Sequence, residues 1–281
     1  MLNQELVRKI ENFVYAQPRS IQEVAVHIKK NWRTTDRYLQ EIEKELGTVS
    51  SKVFRGGTRG ALKIVYWTAV EKISHSVFQE QLEKEIMSGK DKSSFSAFDI
   101  FQHVADKDKR AIIEDAIDEN STNLEELKEL LDGAQKEVLL FSGDMSFINL
   151  RNKNFNMEKI LEDLVDKGIS VKIICRVDLV GKRNIEKTLA INYKKGKEVI
   201  EIRHRVQPLR AVLVDKKYIR LKEVKEPTGK IGELDKKIFI FYTLKDREWA
   251  SWMHKIFWKM FSSSIGVDKR LKEVEKLKEK T

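Results

Sequence analysis

Residues 208–223 read PLRAVLVDKKYIRLKE. Two short segments, RAVLVD and YIRLKE, flank Lys216-Lys217, the pattern of two antiparallel strands joined by a tight turn. Working outward, EVIEIRH precedes them and KKIFIFYT follows the turn PTGK, so both neighbours also read as strands. Upstream, KEVLLFSG and SVKIICR are short apolar runs of the kind shown by strands buried on both faces. Helices separate them: MEKILEDLVDK, stopped by Gly168, and NIEKTLAINYKK. Strands alternating with helices predict an α/β domain. Residues 246–262 follow as a helix carrying Trp249, Trp252, Phe257, Trp258 and Phe261. Their helical spacing assigns them to a core or interface before a ligand site. The tail, GVDKRLKEVEKLKEK, reads as a solvated basic helix that hangs free.

The chain has 281 residues, enough for two domains. It is 41% hydrophobic and 35% charged, the balance of a well-solvated globular protein. No run of about 18 apolar residues exists, so no membrane span is expected. The opening MLNQELVRKIENF is amphipathic and lacks the apolar core of a signal peptide. The single cysteine, Cys175, lies in the apolar run VKIIC and reads as a buried core residue. One cysteine excludes an internal disulfide and a cysteine metal cluster. The five histidines share no ligand spacing, so no metal and no cofactor is expected. A cytoplasmic protein is the expectation.

The net charge of +10 is uneven. Residues 1–67 carry +5 and residues 136–281 carry +13, separated by an acidic segment, 68–135, at −8. Basic surfaces of this kind attract polyanions, of which nucleic acid is the commonest.

In the first 67 residues, Leu6, Ile10, Phe13 and Val14 share one helical face. Ser20 and Glu23 form a capping-box pattern ahead of a short helix. Thr34 or Thr35 can cap a third helix, TDRYLQEIEKEL, which Gly47 stops. TVSSKVF, the glycine-rich RGGTRG and ALKIVYW complete a hairpin signal. Three helices and a basic hairpin predict a winged helix-turn-helix, whose third helix presents its first residues to base edges. Those residues are Arg33, Thr34, Thr35, Arg37 and Tyr38, with Asp36 among them. Tyr38 reads equally as core and as phosphate contact. The hairpin adds Arg55 and Arg59 at its tip and Lys52 and Lys63 on its strands. Its glycines allow close approach to a backbone, but no strand precedes a helix here in the manner of a nucleotide loop. Residues 68–132 read as helical and mostly acidic, with residues 106–120 as one of the helices.

The strand pair at 208–223 resembles the H-x-K-x4-D motif of the phospholipase-D superfamily. Asp215 stands at the aspartate, Arg210 at the lysine and Pro208 at the nucleophilic histidine. The small Gly/Ser pair of that superfamily falls near Lys222-Glu223. Proline cannot form a phosphohistidine. His204, four residues away, is about 13 Å distant in an extended chain. Only one copy of the motif is visible, whereas the active enzymes pair two. No phosphodiesterase activity is therefore expected. Arg210 and Asp215 remain as a degenerate phosphate or ligand site.

The whole layout resembles the archaeal TrmB-type transcription regulators. That resemblance implies a winged helix-turn-helix at 1–67, a helical linker and dimerisation region at 68–132, a phospholipase-D-like α/β domain at 133–262 and a basic helical tail at 263–281. It further implies a homodimer on double-stranded DNA, a small-molecule effector in the C-terminal domain, no membrane partner, and a place on the nucleoid. Two alternatives stand beside it: a phospholipase-D-type nuclease targeted to DNA, and a winged-helix adaptor that contacts proteins.

Overall fold

The computed structural model describes residues 4–55, 61–68, 75–115, 124–227 and 236–278. The N-terminal part runs α1 (Gln4–Ala16), β1 (Arg19–Ser20), α2 (Ile21–His27), α3 (Trp32–Glu45), β2 (Val49–Arg55) and β3 (Ala61–Trp67). Ser20 caps α2: its Oγ accepts from the Glu23 N–H at 3.2 Å, and Glu23 Oε2 accepts the Ser20 N–H at 2.7 Å. This is the capping box read in the sequence. Helix α3 starts earlier than expected. Asn31 is its cap, with Oδ1 accepting from Thr34 N–H at 2.8 Å, so Trp32 and Arg33 are already helical. Ile10, Val14, Val24, Leu39, Ile42 and Val65 close one core beneath the three helices. His27 stacks on Phe13 at 3.9 Å between ring centres, in keeping with a structural role. The strands pair in the order β1-β3-β2. The predicted winged helix-turn-helix is the fold observed.

The rest of the chain follows as α4 (His75–Ser88), α5 (Phe98–Phe101), β4 (Lys109–Asp115), α6 (Leu124–Asp132), β5 (Glu137–Phe141), α7 (Met157–Asp166), β6 (Ser170–Cys175), α8 (Lys182–Lys195), β7 (Ile200–His204), β8 (Ala211–Val214), β9 (Tyr218–Lys225), β10 (Ile238–Leu244), α9 (Arg247–Ser262), β11 (Ile265–Gly266) and α10 (Val267–Lys278). Eight strands form one mixed sheet, β11-β7-β6-β5-β8-β9-β10-β4. Strands β5, β6 and β7 are parallel and the remaining pairings antiparallel. Alternation sorts the side chains. Leu139, Phe141, Leu213, Leu221 and Ile240 face α9, whereas Val138, Leu140, Ile173 and Ile202 face α6, α7 and α8. Cys175 is buried there, and burial pushes its thiol up to about 12. Trp249, Trp252 and Phe257 belong to the core on the α9 side.

Two expectations change. The helix predicted over 106–120 is strand β4 at Lys109–Asp115, paired along its whole length with β10. Strand β10 is fully buried, so pairing on its outer edge satisfies its remaining backbone groups. The C-terminal helix does not hang free. Val267 and Val274 are buried, Arg270 donates to the Val177 carbonyl at 3.3 Å, and Lys182 pairs with Glu275 at 2.8 Å.

The winged domain is docked on the α/β sheet. Hairpin β2–β3 has two apolar faces. Val49 and Val65 face the helices of the winged domain, while Phe54, Leu62 and Ile64 join the core with Phe98, Phe101 and Tyr242. Phe54 meets Tyr242 edge-on at 6.2 Å, and Tyr66 tilts against Phe98 at 5.1 Å. Helix α4 buries Leu82 and Ile86 in the same core. A polar strip crosses the junction: Lys225 of β9 lies 3.0 Å from Glu223 and 3.7 Å from Glu23 of α2. Burial works against the Lys225 ammonium, and the two carboxylates outweigh it and hold its pKa up.

Candidate nucleic-acid interface and a cationic cavity

The first two turns of α3 present Arg33 and Arg37 to solvent, with Thr34 half-exposed between them. The Arg33 guanidinium lies 5.6 Å from the Trp32 ring, and Arg37 lies 5.5 Å from Tyr38. Tyr38 is half-buried and packs against the winged-domain core, so it joins packing to partial exposure. Thr35 is a correction. It is fully buried, and its hydroxyl donates to the Asn31 carbonyl at 2.9 Å. It braces the cap and cannot reach a ligand. Asp36 is held by Lys63 Nζ across to β3 and by Gln40 Nε2 at 3.1 Å. Lys63 is thereby committed to α3, and its charge is neutralised locally. Lys52 turns towards the α/β domain, 3.4 Å from Asp106 and 5.2 Å from the Phe101 ring centre. Arg59 lies outside the described residues, as does the side chain of Arg55.

Arg210 and Asp215, expected to share one site, are separated along strand β8. Asp215 sits in the β8–β9 turn with φ 52°, a left-handed conformation that Asp tolerates better than most residues. Its carboxylate accepts the N–H groups of Gln135, Lys136 and Glu137 at 2.8, 2.8 and 3.0 Å. It clamps the entry to β5. Burial opposes its charge, and those three N–H donors outweigh burial and lower its pKa.

Arg210 lies at the other end, beside the carboxyl terminus of β5. There the register places Ser142, Arg210, Lys222 and Phe241 in a cross-strand row on one face of the sheet, continuing the pairs Phe141↔Ala211, Ala211↔Leu221 and Lys222↔Phe241. The row lines a cavity of roughly 340 Å³. Six of its lining residues are Lys or Arg and one is acidic, Asp144. Arg210 donates to the Leu209 carbonyl at 2.8 Å. Burial pulls its pKa down, partly offset by Asp144. Gly143 faces the guanidinium so closely that a Cβ there would collide with it. The deeper wall is aromatic: Lys222 Nζ stands 3.4 Å from the centre of the Phe239 ring, with Phe241 alongside. Arg220, at the inner end, is paired with Glu126, and burial lowers its pKa to about 10.

Pro208 is buried, and its ring lies against Gly89, where an added Cβ would come within 2.8 Å of it. His204 is not among the cavity's lining residues. Its Nδ1 accepts the Val177 N–H at 2.8 Å, and burial lowers its pKa. Among the described residues no three His, Cys, Asp or Glu side chains converge as a metal ion needs, and no helix is long and apolar enough to cross a membrane. The cavity escaped the sequence reading because its residues come from separate strands. The alternation of Arg220 and Lys222 within YIRLKE was the one signal that two cations share a face.

No family model matches the chain, and no curated protein matches it. Among solved structures it is similar to TrmBL2, an archaeal chromatin protein with a novel mode of DNA binding, at 18% identity over 95% of this chain and 94% of that one, with a TM-score of 0.40. It is similar to Nuc, a phospholipase D family member from Salmonella typhimurium, at 11% identity over 56% of this chain and 97% of that one, with a TM-score of 0.39. It is also similar to NucT from Helicobacter pylori, at 14% identity over 56% and 99%, with a TM-score of 0.39.

Proposed function

We propose that the chain is a transcription regulator that grips duplex DNA through α3 and the wing, and that its α/β domain binds a ligand without catalysing a reaction. The observation that carries the reading is the exposed pair Arg33 and Arg37, one turn apart at the start of a helix whose cap and core are fully built behind it. Arginines so placed donate to guanine edges or to phosphates. The basic sequence RGGTRG between β2 and β3 adds to the same charge. One head reads one half-site, so two copies of the chain on a pseudo-palindrome complete the arrangement. Pro208 offers no nucleophile and His204 is occupied by Val177, which supports a non-catalytic domain.

Retardation of genomic fragments by the wild type, Arg33→Ala and Arg37→Ala tests the reading head. Each substitution is expected to weaken binding by about 1–3 kcal/mol if it reads a base, or to reduce the salt slope by about one if it contacts a phosphate. Binding that is unchanged in both variants removes α3 as the reading helix.

A further inference from the structure

The cavity beside Arg210 lies where the chain order of the sheet reverses. From β5 the chain passes through α7 to β6 and through α8 to β7, then returns to place β8 on the other side of β5. In open α/β sheets ligands sit outside the carboxyl end of a strand at such a reversal, and here that edge carries the carboxyl end of β5 beside the amino end of the antiparallel β8. The cavity is bounded by the loop after β5, with Gly143 and Asp144, by Arg176 after β6 and by Arg210 before β8.

Resting on the reading of this domain as a non-catalytic ligand module, we propose that the cavity binds a phosphate monoester with a flat apolar body, about the size of a nucleoside monophosphate. Three observations converge on that class. The first is charge: six Lys or Arg residues line the space with one acid among them. Arg220, Arg176, Lys92 and Lys237 are paired with Glu126, Asp178 and Glu226 behind the lining, and Arg210 and Lys222 stand at its centre. The lining acid, Asp144, is turned into its own loop, where it accepts the Ser146 N–H at 3.1 Å. Second is the donor geometry. A guanidinium presents a planar fork and an ammonium a point charge, and together they suit a dianionic phosphate. Arg210 and Lys222 stand side by side in the cross-strand row, joined by the Lys222 N–H to Arg210 carbonyl bond at 2.8 Å. The Arg210 guanidinium packs on Gly143, where any side chain would displace it, so the glycine sets its position in the cavity wall. Third is the wall. Phe239, Phe241, Phe147 and Leu150 give an apolar surface next to the cations, which a flat ring covers and a bare phosphate does not. The volume of roughly 340 Å³ lies at the lower end of small-molecule sites.

Isothermal titration of the full-length protein with AMP, adenosine, inorganic phosphate and citrate tests this. AMP is expected to bind with a dissociation constant on the order of 0.1 mM or tighter, and phosphate alone more weakly by about tenfold or more. Adenosine and citrate are expected to give no binding in that range. Arg210→Gln is expected to weaken AMP by about tenfold or more, the loss of a charge-assisted fork. Gly143→Ala, whose methyl displaces the guanidinium from a different element, is expected to do the same, with both variants keeping the wild-type thermal midpoint within a few degrees. Citrate binding as tightly as AMP, AMP failing to bind, or AMP affinity unchanged in both variants would each overturn the proposal. Hydrolysis of AMP during the titration would sink the non-catalytic reading while leaving the binding assignment supported. Loss of DNA retardation alone would touch only the winged domain.

Discussion

Asp99 is a carboxyl placed among other carboxyls. It stands on α5, buried, with Glu85 and Glu223 nearby and Lys225 beyond them. Burial raises its pKa well above the ordinary value of 3.8, and the two glutamates add to the rise. A carboxyl whose folded pKa is raised binds its proton more tightly in the native state than in the unfolded one. Its contribution therefore falls as pH climbs from about 3.8 towards the raised value, and is flat below. Asp99→Asn keeps the shape without the titration. The variant is expected to gain stability over the wild type as pH rises through that window, with no pH-dependent change in the difference below about 3.8. Urea unfolding of both proteins across the acid range reads this directly, and a difference independent of pH would refute it. Glu23 shows the converse economy, since one carboxylate closes the capping box of α2 and faces Lys225 across the junction.

Among elements, hairpin β2–β3 matters most to the assembly because it is apolar on both sides. A wing that only touched nucleic acid would need one buried face. Here Phe54 contacts Phe98, Phe101 and Tyr242 in the core of the α/β domain. Phe54→Ala is expected to destabilise the protein by about 3 kcal/mol, the usual cost of emptying a buried ring site. Calorimetry is expected to show the winged domain unfolding ahead of the sheet in this variant, where the wild type unfolds in one step. A single transition at the wild-type temperature would mean that the junction carries no cohesion. The sequence showed the hairpin but not its second face, because Lys52 and Lys63 on its strands were read as contacts to nucleic acid. Both lysines are instead paired, with Asp106 and Asp36.

The strands and helices of the α/β domain were legible because each carries its own period of apolar residues. Strand β4 was not. KRAIIED is too short for its period to decide, and its conformation is set by the long-range partner β10. The candidate site was half legible for a similar reason. Arg33 and Arg37 could be placed by counting from the helix start, whereas the burial of Thr35 depended on Asn31 taking the cap. Asp215 matched a motif by spacing, yet a turn conformation and three backbone donors give it another task.

At the scale of the whole molecule, the cavity and the docked winged domain lie on opposite faces of one strand, β9. Arg220, Lys222 and Val224 of β9 line the cavity, and the alternate residues Leu221, Glu223 and Lys225 point to the side where the winged domain is docked. Saturating the protein with AMP is expected to change its affinity for duplex DNA by a factor of about 5–150, the usual span of coupling between two sites. Lys225→Met is expected to leave AMP binding intact and to reduce that factor. Fluorescence anisotropy of a labelled duplex, with and without AMP, measures both. Equal DNA affinity in the two conditions would show that the sites are independent.

A pleated strand cannot move one row of its side chains and leave the other row behind. In this protein a single thickness of backbone, that of β9, lies between the cavity and the docked winged domain. A guest that tilted β9 would therefore press on Glu23 without a swinging domain or a melting segment.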